Sequence, residues 1–210
     1  MCFSATASFT ASAILAATGI VSVKQVKKKQ DYFLASIPFL FGIQQFLEGL
    51  IWVFPDYGMF TLVLGYAFLF FAFLLWPTYI PLALWAHEPD AKRRCMLRFM
   101  ILFGAFGTFY LLVTLLNQSL TVDVINHHVI YLIDVPYTRA GVVLYISVTT
   151  GSFLLSSKRF LQMFGLLALF SAAMSWMFYE QAFTSVWCFF AAFLSFFLYF
   201  YLRKHNGLST

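Results

Sequence analysis

Two amides and a carboxylic acid interrupt an otherwise oily run, Phe41-Gly-Ile-Gln-Gln-Phe-Leu-Glu-Gly-Leu-Ile-Trp-Val53. On a helix Gln44, Glu48 and Trp52 are spaced four apart and share one face, with Gln45 and Gly49 beside them. A carboxylate in hydrocarbon costs about 2.5 to 3.5 kcal/mol on insertion scales, so Glu48 is expected to face inward, toward a partner, a cavity or a ligand. The other groups able to bind or react are His127, His128, Tyr131, Asp134, Arg139, Glu180, Trp187, Cys2 and Cys188. His127, His128, Glu48, Cys2 and Cys188 form a mixed set of hard and soft donors that could hold zinc or copper. Asp123 and His127, one helical turn apart, could share a metal or bond each other. HExxH and CxxC are both absent, so no metal signature is complete.

The elements that must position these residues are membrane helices. The chain has 210 residues, 62% hydrophobic and only 10% charged, with a mean hydropathy of +0.84. A soluble domain of this length carries about a quarter charged residues, which excludes that class. An all-α, polytopic membrane fold follows, as one domain over residues 1–210. Seven apolar stretches, at about 5–23, 32–54, 59–84, 96–117, 134–156, 160–180 and 184–202, are near the 20 residues that a helix needs to cross the hydrocarbon core.

The basic residues sort by side. Lys24, Lys27, Lys28, Lys29, Lys92, Arg93, Arg94, Arg98, Lys158, Arg159, Arg203 and Lys204 all fall at alternate ends of the spans, and Arg139 stands alone. The positive-inside rule then places the N-terminus outside and the C-terminus inside, in agreement with an odd number of crossings. The net charge of +5 is explained by these interfacial anchors, facing anionic lipid, and not by nucleic-acid binding. The lipid bilayer is the one partner that composition requires; oligomeric state is left open. The basic residues follow the first apolar stretch instead of preceding it, so that stretch reads as an uncleaved helix.

The opening Met1-Cys-Phe-Ser-Ala-Thr-Ala-Ser-Phe9 resembles the start of a family of small, functionally uncharacterised bacterial multi-pass membrane proteins. Gln44-Gln45 with Glu48-Gly49 and Trp52, Trp76-Pro77, His127-His128 with Tyr131, and Trp187-Cys188 through Ala192 carry the resemblance further along the chain. It implies a membrane helix bundle in the bacterial inner membrane and brings no reaction or ligand with it.

Along the chain, Ser4, Ser8, Ser12 and Ala16 form a small-residue stripe on the first helix, suited to close packing. Glu48 lies about 24 Å from the inner end of the second helix. Pro77 and Pro81 predict a bend or break in the third. His87, Glu88 and Asp90 read as a solvated inside turn, Gly104 and Gly107 as packing positions, and 120–138 as an interfacial helix or an outward extension of the fifth helix. Every lysine lies at or beyond an inner boundary, which excludes a covalent retinal protein.

Depth therefore collects Cys2, Glu48, His127, His128, Asp134, Arg139, Glu180 and Cys188 in the outer half or outside. Arg139 could pair with Glu48, Asp134 or Glu180. Cys2 and Cys188 could form a disulfide, ligate metal, or simply pack. The leading functional reading is an integral membrane binding protein, sensor or carrier, with an outward polar pocket for a small ligand, lipid head group or ion. Gln44, Gln45, Glu48, Trp52, His127, His128, Tyr131, Arg139, Glu180 and Trp187 would line it. The alternatives are a metal-dependent membrane hydrolase acting on a lipidic substrate, and a small-solute or ion transporter, although the two helix triplets show no convincing repeat.

Overall fold

The computed structural model describes residues 4–125, 128–135 and 138–205. Helix α1 (Ala5–Lys24) is capped by Ser4, whose hydroxyl accepts the Ala7 N–H at 3.2 Å. It packs on α2 (Tyr32–Val53) with Ser8, Ser12, Leu15, Gly19 and Ser22 buried; of the expected stripe, Ser8 and Ser12 are buried, Ala16 is half-buried and Ser4 is exposed. Helix α2 is the centre of the bundle: it meets α1, α3, α4 and α8, and its polar residues Gln44, Gln45 and Glu48 are fully buried.

Helices α3 (Met59–Leu69) and α4 (Trp76–His87) form one rod, joined by a π-helical stretch, Phe70–Leu75. The predicted irregularity thus falls just ahead of Trp76-Pro77. The Trp76 N–H bonds Phe71 O, so the next donor in that register would come from Pro77, which has none. The carbonyl left over at Ala72 accepts the Tyr145 hydroxyl from α6 at 2.6 Å. A kink in one helix is in this way satisfied by another, as the bilayer interior demands.

Helix α5 (Ala91–Asn117) turns its apolar surface outward, with Leu102, Phe106, Phe109 and Leu116 all exposed. Such a face belongs against lipid. Helix α5 touches α4 through Gly104, where a Cβ would come within 1.9 Å of Pro77 O; at Gly107 a Cβ would meet nothing within 4 Å, so the expected packing role holds for the first glycine and fails for the second. Helices α6 (Thr138–Leu154), α7 (Arg159–Phe178) and α8 (Phe183–His205) complete the bundle. Among the described residues, six helical rods are long and apolar enough to cross a membrane, and α6 is a shorter apolar helix. Buried hydroxyls on α6 bond their own preceding turn, Thr150 to Ile146 O at 2.7 Å among them, as expected of packing serines and threonines.

The stretch at 120–138 departs from expectation. It contains an antiparallel hairpin, β1 (Thr121–Ile125) with β2 (His128–Leu132), in which Val122 pairs with Tyr131 and Val124 with Val129. Val, Ile, Thr and Tyr dominate both strands, which favours a pleated surface over a helix. A lone hairpin is marginal in water. This one is held by its inner face: Val122 packs at Gly65 of α3, and Tyr131 stacks on Phe68 at 4.6 Å. Asp123 lies in a strand and not in a helix; His127, the other half of the expected pair, lies outside the described residues.

Candidate metal centre and a buried polar cluster

The sequence-predicted carboxylate does face inward. Glu48 accepts the Ser185 hydroxyl on one oxygen and lies 3.4 Å from Gln45 Nε2 on the other. Gln44 Oε1 accepts the Trp76 indole N–H at 2.8 Å, and Trp76 stacks on Phe41 at 4.0 Å. The Cys188 side chain of α8 is buried in the same region. Helices α4 and α8 are thus tied to α2 by buried polar groups. Trp52 is only half buried and packs into the cluster around Phe68.

Tyr131, Glu180, Trp187 and Cys188 come together around a cavity of about 250 Å³ at the hairpin end of the bundle. His128 rests at that end with its ring 5.0 Å from Tyr179. Arg139 and Asp134 are exposed, and among the described residues no ion pair joins Arg139 to Glu48, Asp134 or Glu180. Cys2 falls outside the described residues, as does any disulfide it makes.

The end carrying the basic clusters holds a second polar group that the sequence reading missed. His87 and Glu88, expected in a solvated turn, are each only 3% exposed. Asp31, in the 3-10 turn leading into α2, is completely buried. The His87 ring spans the gap between helices: Nδ1 lies 2.7 Å from Asp31 Oδ1, and Nε2 lies 2.7 Å from the Tyr201 hydroxyl of α8. With Asp31 ionised, a neutral His87 donates from Nδ1 and accepts the Tyr201 O–H at Nε2. One turn beyond Tyr201, His205 stacks on it and brings its ring to 5.0 Å from His87.

Asp31, His87 and His205 each offer a ligand atom, all within 4.8 Å of one another, and so form a group that could hold a metal ion. The donor chemistry fits zinc or copper, one carboxylate oxygen with two imidazole nitrogens. Asp31 Oδ2 is buried with no hydrogen-bond partner. Buried carboxylate oxygens are nearly always satisfied, so this one is a free acceptor that a cation could use. In tetrahedral zinc the ligand atoms sit about 3.3 Å apart, so coordination asks for an opening of about 0.6 Å between Asp31 and His87 and an approach by His205, whose side chain is exposed.

The neighbouring Glu88 is structural. Its carboxylate accepts the Ser157 N–H at 2.7 Å, the Ser156 hydroxyl at 3.2 Å and the Asp90 N–H at 3.1 Å. Burial pushes its carboxyl up, but the hydrogen bonds from Ser157, Asp90 and Ser156 outweigh that and hold it below the usual value. Arg93 adds bonds to Leu155 O and Ser156 O, tying the α4–α5 turn to the α6–α7 turn. This frame fixes the end of α4 that carries His87.

Fold and site together define a multi-pass helical membrane protein with a carboxylate–histidine–histidine group at its basic end. Over residues 1–209 the chain matches the family described as "Family of unknown function (DUF6629)", and it belongs to that family. No curated protein and no solved structure matches it.

Proposed function

We propose that the protein is a metal-dependent hydrolase working at the membrane surface on a lipidic ester or amide, with Asp31, His87 and His205 holding a zinc-type ion. The unpartnered Oδ2 of Asp31, inside a group of three convergent donors, carries this reading. Three protein ligands leave one tetrahedral position open, which is the pattern of catalytic rather than structural zinc. His205 is exposed, so that position is reachable from the head-group layer. A bound ion would supply Lewis acidity and a water acidified toward neutral pH. The protein's own groups hold and orient: Asp31 offsets the positive charge, and Tyr201 fixes the His87 ring through Nε2. In the reaction the acyl C–O or C–N bond breaks, the hydroxyl of water goes to the acyl carbon, and its proton goes to the leaving group.

The alternation of basic residues supports a bacterial inner-membrane orientation with the N-terminus outside and the C-terminus inside. The metal centre then lies at the cytoplasmic head groups, not in the outer half where the sequence alone collects its candidates.

Elemental analysis of detergent-purified protein tests the reading. Stoichiometric zinc or copper is expected, lost in Asp31→Asn and in His205→Ala while both variants keep the wild-type elution profile. Acyl release from lipids in nanodiscs should stop on chelation and return with metal. Protein that neither retains metal nor takes it up overturns the centre; full occupancy without hydrolysis of any acyl lipid overturns the enzyme.

A further inference from the structure

Along α8, His205 of the metal group lies about 27 Å from Trp187 of the cavity at the hairpin end, so the two sites are distinct. That cavity opens between β2, α6, the turn Glu180–Ala182 and α8, and measures about 250 Å³. An apolar cavity of about 150 Å³ already accommodates benzene, so a small organic group fits here.

Its wall is a run of touching rings. Trp176 meets Phe183 edge-on at 5.3 Å, Phe183 stacks on Trp187 at 5.3 Å, and Trp187 meets Tyr145 edge-on at 5.4 Å. Two of these rings have their donors engaged elsewhere: the Trp187 N–H goes to Ala168 O at 3.2 Å and the Tyr145 O–H to Ala72 O at 2.6 Å. What they offer a ligand is ring surface and not hydrogen bonds. Glu180 is the one charged residue among those that line the cavity, and it is exposed.

This combination selects a ligand. An anion finds no cation among the lining side chains, and Glu180 repels it. A primary ammonium needs several acceptors to replace its water, which ring faces supply poorly. A quaternary ammonium has no N–H to satisfy, carries diffuse positive charge, and is drawn both to aromatic faces and to a carboxylate. We propose that this cavity binds a quaternary-ammonium group, with Trp176, Phe183 and Trp187 as its aromatic wall and Glu180 as its counter-charge. The proposal is independent of the metal centre.

The test uses the full-length protein in a maltoside detergent, with tryptophan fluorescence as readout. Tetramethylammonium and choline should change the emission saturably, and 3,3-dimethylbutanol, the uncharged shape analogue of choline, should bind at least about tenfold more weakly. Glu180→Gln, an exposed substitution, and Trp176→Leu should each weaken choline binding about tenfold, the latter judged only if its elution profile is native. Nanodiscs then separate the sources: saturation by free choline identifies a soluble cation, whereas retention of phosphatidylcholine over phosphatidylglycerol in native mass spectrometry, without choline binding, identifies a lipid head group. Absence of both, equal affinity for the uncharged analogue, or affinity unchanged by Glu180→Gln overturns the proposal.

Discussion

Asp31 Oδ1 and His87 Nδ1 lie 2.7 Å apart although 56 residues separate them, and the second oxygen of Asp31 is shut away from water without a partner. An ion on the Asp31 side of the ring would take the lone pair of Nδ1, and the ring proton would then sit on Nε2 and be donated to the Tyr201 oxygen.

Tyr201 should therefore tune metal affinity without being a ligand. Tyr201→Phe removes its hydroxyl from His87, and affinity should fall about 10- to 100-fold in competition with a fluorescent zinc chelator, with one metal still bound at saturation. Affinity equal to wild type would remove Tyr201 from the site.

Gly104 and Gly107 give a paired test of helix packing. Gly104→Ala drives a methyl into Pro77 O and should destabilise by about 1 to 3 kcal/mol, lowering the apparent Tm in detergent. Gly107→Ala meets nothing and should be neutral or stabilising by up to about 1 kcal/mol, since Ala is the better helix former. Equal melting of the two variants would mean that α4 and α5 are not in this contact.

Glu88→Gln keeps acceptor capacity on one oxygen, while Glu88→Ala abandons the Ser156 and Ser157 donors. The alanine variant should lose about 1 to 3 kcal/mol and the glutamine variant less, by thermal unfolding. The reverse order would show that the charge, not the bonding, matters there.

In the polar cluster, Glu48→Leu removes the carboxylate that accepts from the Ser185 hydroxyl and the Gln45 amide, whereas Glu48→Gln can still accept from Ser185. The leucine variant should be the less stable by about 1 to 3 kcal/mol. Indistinguishable stability would leave the cluster without a structural role.

Cys95 is exposed beside the basic residues of α5. With that end cytoplasmic, a membrane-impermeant maleimide should label it in inverted vesicles and not in spheroplasts. Labelling in spheroplasts would reverse the orientation.

The membrane class was legible from composition alone, because a chain with so few charges has no way to cover itself in water. Helix placement followed from run length. The inward direction of Glu48 followed from the cost of a carboxylate in hydrocarbon. The hairpin is not legible in the sequence, because a continuous apolar run carries no period that separates a buried strand from a helix, and only the Gly65 and Phe68 surface of α3 decides for the strand.

In the sequence, Asp31, His87 and His205 each stand beside one of the basic clusters that the positive-inside rule collects on one side. Sequence by itself could not make them neighbours: Asp31 precedes α2, His87 ends α4 and His205 ends α8. Which helix ends meet is set by side-to-side packing around α2, through close contacts between residues far apart in the chain. Hydropathy and charge fix depth along the membrane normal; only tertiary packing fixes position in its plane, and a metal centre needs both.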